Sequence, residues 1–300
     1  MQPAFQPVFR FAPSPNGRLH RGHAYSALLN ADFTRRWGGR FLLRIEDIDT
    51  IRCRPAFEAG IYEDLAWLGL RWETPVRRQS EHFSDYRAAF ARLRARGLAY
   101  PCFCTRSDLA RAVAARQAES GAPWPRDPDG APLYPGSCKA LPESEVERRI
   151  RAGEPHAWRL DGAKAIAAAE PDSLIYVRFD DSGAESRVAA HPQRWGDAVI
   201  VRKDTPTSYH LAVVVDDALQ NVTHVVRGAD LEAATDLHTL LHALYGAPYI
   251  RFHHHCLVRD DGGAKLSKSA RAEPLAALRA RGVTAAAVRR ALGFEVDAST

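Results

Sequence analysis

Between Val8 and Ile45 a strand, a helix and a second strand follow one another, and this order constrains the fold more than any other feature of the chain. Val8 to Ala12 has strand character, and Pro13-Ser14-Pro15-Asn16-Gly17 forms a turn. From His20 to Trp37 the residues Tyr25, Leu28, Leu29 and Phe33 recur at helical spacing, and Gly38-Gly39 stops the helix. Arg40 to Ile45 is again extended. Two strands joined by so short a helical crossover must lie parallel, so the chain is an α/β protein built on a parallel sheet. Ligands of such sheets bind at the carboxyl ends of the strands, which is where the Pro13 to His23 turn falls.

The 300 residues, 46% of them apolar, suffice for a substantial core. Amphipathic helices are expected at Phe57 to Leu68 and Ser84 to Arg96. Strand-like runs return at Ser173 to Phe179, Ala198 to Arg202, Leu211 to Val215 and Val222 to Val226, followed by a helix around Leu231 to Tyr245 and a last strand from Arg251 to Val258. Between Pro101 and Pro142 the composition shifts to Pro, Gly, Asp and Cys, with breakers from Gly121 to Gly136. The expected organisation is a first half of the sheet domain in residues 1–100, an inserted module in 101–145 and the second half in 146–258. A loop and short helical tail complete it in 259–300, the tail helices at Glu273 to Arg281 and Thr284 to Leu292.

The first residues lack a basic stretch followed by an apolar one, and no run is long enough to span a bilayer, so a cytoplasmic protein without a membrane partner is expected. A net charge of +5 is compatible with a polyanionic partner and by itself weak evidence for one. Of the 41 basic residues the lysines are Lys139, Lys164, Lys203, Lys265 and Lys268. Two of these stand within four positions in Lys265-Leu266-Ser267-Lys268-Ser269, a placement that suits chemistry needing a compact, flexible ammonium.

Neither a Walker A sequence nor GxGxxG occurs, so a nucleotide would need another cradle. His20-Arg21-Gly22-His23 at a helix start supplies one: free backbone N–H groups, the positive end of the helix dipole, two imidazoles and a glycine that permits close approach. Taken alone, the same tetrapeptide reads first as a helix cap with two exposed histidines.

HxGH near the start and KLSKS near the end together resemble the two signatures of class I aminoacyl-tRNA synthetases. "RFAPSPNGRLHRGHA", "LLRIEDIDT", "YHLAVVVDDALQNVTHVVRGADL" and "GAKLSKS" resemble, in that order, the glutamyl branch, over Arg10 to Ser269. The resemblance implies a class I, Rossmann-like catalytic domain. It implies ATP, with Mg2+, held by His20, Gly22, His23 and Lys268, and a catalytic set of His20, His23, Lys265 and Lys268. It also implies a glutamate pocket of Arg10, Ser14, Glu46, Tyr209 and Arg227. The charges agree with that substrate: glutamate carries two carboxylates and one ammonium, which two guanidinium forks, an acid and a hydroxyl can meet. Without the motifs, each of these residues would pass for a surface charge or a structural ion pair.

Five cysteines in a chain without a secretory signal argue against a disulfide framework. Cys102-x-Cys104 with Tyr134-x-x-x-Cys138 offers three thiolates and a fourth donor, the closed tetrahedral set of one structural zinc, although reduced buried thiols would show the same spacing. The order C-x-C, Y-x3-C resembles the zinc module of the glutamyl-Q tRNA(Asp) synthetases, with a longer Cys104 to Tyr134 segment here. His253-His254-His255 alternates faces along a strand and is assigned no metal.

This resemblance implies an enzyme that makes glutamyl-adenylate and transfers glutamate to queuosine in the anticodon loop of tRNA(Asp), as a monomer. A short glutamyl-tRNA synthetase, a small-molecule ligase or nucleotidyltransferase, and a silent RNA-binding relative are the alternatives. A chain of this length has a diameter of about 50 Å, too short to grip both ends of a tRNA. That favours an enzyme whose modified nucleotide is the one it recognises.

Overall fold

The computed structural model describes residues 6–247, 249–258 and 273–295. The first half runs β1 (Val8–Phe11), α1 (Arg21–Arg36), β2 (Arg40–Ile45), α2 (Pro55–Trp67), β3 (Glu73–Arg78), α3 (Phe83–Ala95) and β4 (Ala99–Cys102). It continues through α4 (Arg106–Ser120), α5 (Glu143–Arg151), β5 (Ala157–Leu160), α6 (Gly162–Ala168), β6 (Ile175–Phe179), β7 (Glu185–Ala189) and β8 (Val199–Val201). The remainder is α7 (Tyr209–Leu219), β9 (His224–Gly228), α8 (Ala234–Tyr245), β10 (Arg251–His255), α9 (Leu275–Ala280) and α10 (Ala285–Ala291).

The main sheet has the order β3-β2-β1-β9-β10-β6-β7 and is parallel except for the β6–β7 hairpin. Both expected crossovers are present, β1–α1–β2 and β9–α8–β10, and they run outward in opposite directions from the β1–β9 pair. That pair is the topological switch point, where the loops leaving neighbouring strands diverge and open a crevice. Beneath the crevice, Phe9 of β1 packs on Phe33 of α1, and Phe33 on Trp37, which fixes α1 against the sheet.

A second, antiparallel sheet of order β4-β5-β8 draws its strands from both sides of residues 101–145. The run from Ala198 to Arg202 therefore contributes to this small sheet and not to the parallel one. Leu211 to Val215 differs more: it is helical, inside α7. The Val-rich run suggested a strand, but Ser208 caps the helix by accepting from the Leu211 N–H, and every residue from Leu211 to Asp217 is buried. A helix buried all round shows no amphipathic period to read. The stretch before Gly121 is likewise regular. Thr105 and Asp108 form a reciprocal capping box, and α4 runs from there to Gly121, whose φ of 67° ends it in the left-handed region.

Candidate active site

A cleft of about 510 Å³ opens at the carboxyl ends of β2, β1 and β9. Arg10, Ser14, His20, Gly22, His23, Glu46, Tyr209 and Arg227 all line it, although they are scattered over more than two hundred positions of sequence. The topology explains the convergence. Arg10 lies on β1, Glu46 follows β2 directly, Arg227 lies on β9, and Tyr209 opens α7. The backbone N–H of Glu46 donates to the Pro13 carbonyl at 3.0 Å, which carries the β1–β2 pairing past the strand ends into the cleft wall.

Beneath the floor is a buried ion network. Arg44, fully buried, donates from Nη1 to Asp217 Oδ1 at 2.7 Å and from Nη2 to Glu46 Oε1 at 3.1 Å. Arg10 Nε donates to the same Asp217 oxygen at 3.1 Å, and Arg77, Gln79 and Tyr86 satisfy Asp216. Burial alone would raise Asp217, but Arg10 and Arg44 hold it down at about 2. Burial raises Glu46, and Arg44 and then Arg10 pull it back. Arg10, Arg44 and Arg77 thus balance Glu46, Asp216 and Asp217, and the network fixes the Glu46 carboxylate at the cleft. An unpaired member of such a set would cost several kcal/mol.

Arg227 lies outside that balance. It is 5% exposed, and none of the described carboxylates stands at ion-pair distance from it. Its guanidinium donates to Thr235 Oγ1 at 2.8 Å, His238 Nδ1 at 3.2 Å and His254 Nε2 at 3.4 Å, with Tyr209 beside it. Burial depresses its pKa more than Tyr209 and the more distant Asp217 raise it, the electrostatic cost of a buried cation without a carboxylate at ion-pair distance among the described residues. A bound carboxylate would relieve that cost.

At the other end of the cleft, His20 is the N-cap of α1: its Nδ1 accepts from the Gly22 N–H at 3.1 Å, while His23 Nδ1 accepts from the His20 N–H at 3.2 Å. With both Nδ1 atoms accepting, each neutral ring carries its proton on Nε2 and can donate from there. A β-carbon at position 22 would stand 3.0 Å from His20 Cε1, so Gly22 serves the fold of the His20 ring as well as the approach of a ligand.

The catalytic-domain model of the class I tRNA synthetases (E and Q) matches residues 8–293. A glutamyl-Q tRNA(Asp) synthetase from Rhodobacter capsulatus is 44% identical over 96% of this chain and the whole of its own length. The chain belongs to the glutamyl-Q tRNA(Asp) synthetase family. Glutamate–tRNA ligase 2 of Nitrosococcus oceani is 39% identical over 86% of this chain, which spans about half (52%) of that protein. Among solved structures, the glutamate tRNA ligase of Elizabethkingia meningosepticum in complex with its amino acid superposes with a TM-score of 0.70 at 30% identity, covering 88% of this chain and 52% of that one.

The sulfurs of Cys102, Cys104 and Cys138 lie within 4.8 Å of one another, and the Tyr134 hydroxyl is 3.4 Å from Cys104 Sγ. The Cys138 N–H donates to that hydroxyl at 2.7 Å, and the Arg159 guanidinium stacks 3.9 Å from the centre of the Tyr134 ring. Three soft donors and an oxygen, converging and partly buried, fit a closed tetrahedral metal site without an open position. The long Cys104 to Tyr134 segment runs out along α4 and returns after Gly121, so that Tyr134 comes back to Cys104. The histidine run of β10 diverges: His253 pairs with the Phe179 carbonyl, His254 with Thr235 and His255 with the Cys256 carbonyl.

Lys265 and Lys268 lie outside the described residues. Arg44, Asp217 and His238 are functional neighbours that sequence reasoning missed. An arginine inside the apolar strand "RFLLRI" was the available signal for the first.

Proposed function

We propose that this protein activates glutamate with ATP to glutamyl-adenylate and transfers the glutamate to queuosine in the anticodon loop of tRNA(Asp). The observation that carries the reading is the buried, uncompensated Arg227 guanidinium sharing one cleft with the Glu46 carboxylate and the HxGH helix start. One recognises a carboxylate, the second an ammonium and the third phosphate, which together describe an amino acid with an acidic side chain beside a nucleotide.

In this assignment Arg227 takes the side-chain carboxylate of glutamate and Glu46 its ammonium, with Arg10, Ser14 and Tyr209 completing the wall. The α-carboxylate is thereby left facing the HxGH end. One of its oxygens bonds to the α-phosphorus of ATP, the bond from that phosphorus to the bridging oxygen breaks, and pyrophosphate leaves with the electron pair. His20 and His23 donate to phosphate from Nε2, and Lys265 and Lys268 offset the charge that grows on pyrophosphate. ATP enters as its magnesium complex. A hydroxyl of the queuosine cyclopentene ring then attacks the acyl carbon and loses its proton to solvent, and AMP departs, leaving an ester. Zinc at Cys102, Cys104, Tyr134 and Cys138 would supply structural support only.

Pyrophosphate exchange without any tRNA tests the first half. It should proceed with glutamate and not with aspartate or glutamine. R227A should raise the KM for glutamate by on the order of 100-fold, whereas K268A should lower the rate by a similar factor with glutamate affinity kept. Loss of affinity alone in both variants would contradict the assigned roles.

A further inference from the structure

Arg227 is held from behind by side chains that are all acceptors and all uncharged. Thr235 and His238 sit one turn apart on α8, and His254 is the register partner of Arg227 across the β9–β10 pair. Each takes one guanidinium N–H: Thr235 Oγ1 at 2.8 Å, His238 Nδ1 at 3.2 Å and His254 Nε2 at 3.4 Å. A carboxylate at any of these three places would hold the arginine as well, and the fold has used none.

We propose that His238 and His254 are specificity-determining positioning residues, which aim the Arg227 guanidinium while withholding a counter-ion, so that only an anionic substrate side chain completes the site. The proposal rests on the glutamate reading above. Its geometric support extends one shell further. Because His238 Nδ1 accepts from Arg227, its proton lies on Nε2 and is donated to His210 Nδ1 at 3.1 Å. The His210 ring stands edge-on to Trp195 at 5.0 Å, and the Trp195 indole N–H is anchored on the Ala233 carbonyl at 3.1 Å. On the His238 side the orientation of Arg227 is therefore tied to the core through two successive hydrogen bonds and a ring contact. Protonating either acceptor would drive an N–H against the guanidinium. Burial first, and Arg227 second, keep both rings neutral, with His254 at about 2 and His238 well below the usual imidazole value.

The consequence is a discrimination of charge rather than of shape. A glutamine side chain fills nearly the same volume as glutamate but leaves the buried cation unneutralised. If an internal carboxylate were supplied, that penalty would vanish and glutamate would have to displace an ion pair.

The test is glutamate-dependent pyrophosphate exchange, with the KM for glutamate and the inhibition constant of glutamine measured in the same protein. H238A should raise the glutamate KM by at least about 10-fold, and H238N, whose amide oxygen can replace Nδ1 as acceptor, should recover most of that loss. H238D should raise it by about 100-fold or more while the glutamine constant changes less than about 10-fold, so that the preference for glutamate contracts at least tenfold. H254E should contract the preference in the same way and serves if H238D does not fold. An unchanged preference in an exchange-competent H238D or H254E, or an H238N variant as impaired as H238D, would overturn the proposal. Absence of glutamate-dependent exchange in the unsubstituted protein would instead remove the glutamate reading, and this proposal with it.

Discussion

The backbone N–H of Leu275 donates to the carbonyl of Leu19 at 2.8 Å, which ties the first described helix after the KLSKS sequence to the residue just before His20. Pro274 bridges to His20 itself, and Arg279, one turn further along α9, reaches the buried Asp64 carboxylate of α2 at 3.5 Å. The chain entering α9 and the chain entering α1 are therefore joined directly, and Asp64 is the charge beneath them.

Asp64 is pushed up to about 6 by burial, against the pull of Arg279 and then Arg18. A carboxyl that titrates higher folded than unfolded stabilises the fold at low pH and loses that contribution as pH rises through about 6. Arg279 offsets the loss only while Asp64 is ionised. R279A should therefore destabilise the protein by about 1 kcal/mol at pH 7.5, the modest size reflecting a partly exposed and screened guanidinium, and by much less at pH 5. Urea unfolding of both proteins at the two pH values checks this; an equal loss at both would show that the carboxylate is not involved.

Buried histidines set the opposite slope. His210, His224 and His242 are lowered to about 4, His254 to about 2 and His238 well below the ordinary imidazole value, burial being the first cause in each. Released on unfolding, they take up protons near 6.5. Their contribution is complete above that value and is lost as pH falls toward 4, and it outweighs the single proton of Asp64. Unfolding at pH 5 should bind about three or more protons, so stability should fall by about 4 kcal/mol per pH unit there. Calorimetry in buffers of different ionisation enthalpy reads the proton uptake directly, and a flat profile from pH 6.5 to 5 would contradict it.

The cysteine cluster predicts a folding effect. Protein purified without added zinc should carry one zinc per chain. C102S or C138S should release it and loosen residues 101–142, with the direct effect on protease resistance of that region rather than on adenylate chemistry. Folded, metal-free and fully active protein would count against the zinc assignment.

What the sequence disclosed follows from where each residue sits. Arg10, Glu46 and Arg227 were legible only through the resemblance of the strings around them to the glutamyl branch, since each alone would pass for a structural ion pair, whereas His20 also stood out because it opens a helix. The cluster geometry of Cys102, Cys104 and Cys138 was legible from spacing. Arg44 and His238 were not: one is an arginine inside an apolar strand, the other lies in α8, buried on nearly every side, and their partners are distant in sequence. Leu211 to Val215 misled for the same reason, since complete burial erases the period that distinguishes helix from strand. The small antiparallel sheet was invisible because its strands are short and lie roughly 40 to 60 residues apart.

The most direct test is transfer of labelled glutamate to RNA whose terminal ribose is open or blocked. Queuosine also carries a vicinal diol that periodate would cleave, so the block must be confined to the 3′ end and must remove both terminal hydroxyls, for example by using RNA ending in a 2′,3′-dideoxynucleotide ligated to the modified anticodon arm. Queuosine-containing tRNA(Asp), and its isolated anticodon stem-loop, should be labelled stably whether or not that end is blocked, because a splayed anticodon loop is the substrate. The same RNA with guanosine in that position should be labelled little, and the acceptor end of tRNA(Glu) not at all. Labelling that disappears when the 3′ end alone is blocked would contradict the queuosine reading and leave a glutamyl-tRNA synthetase acting at the acceptor end.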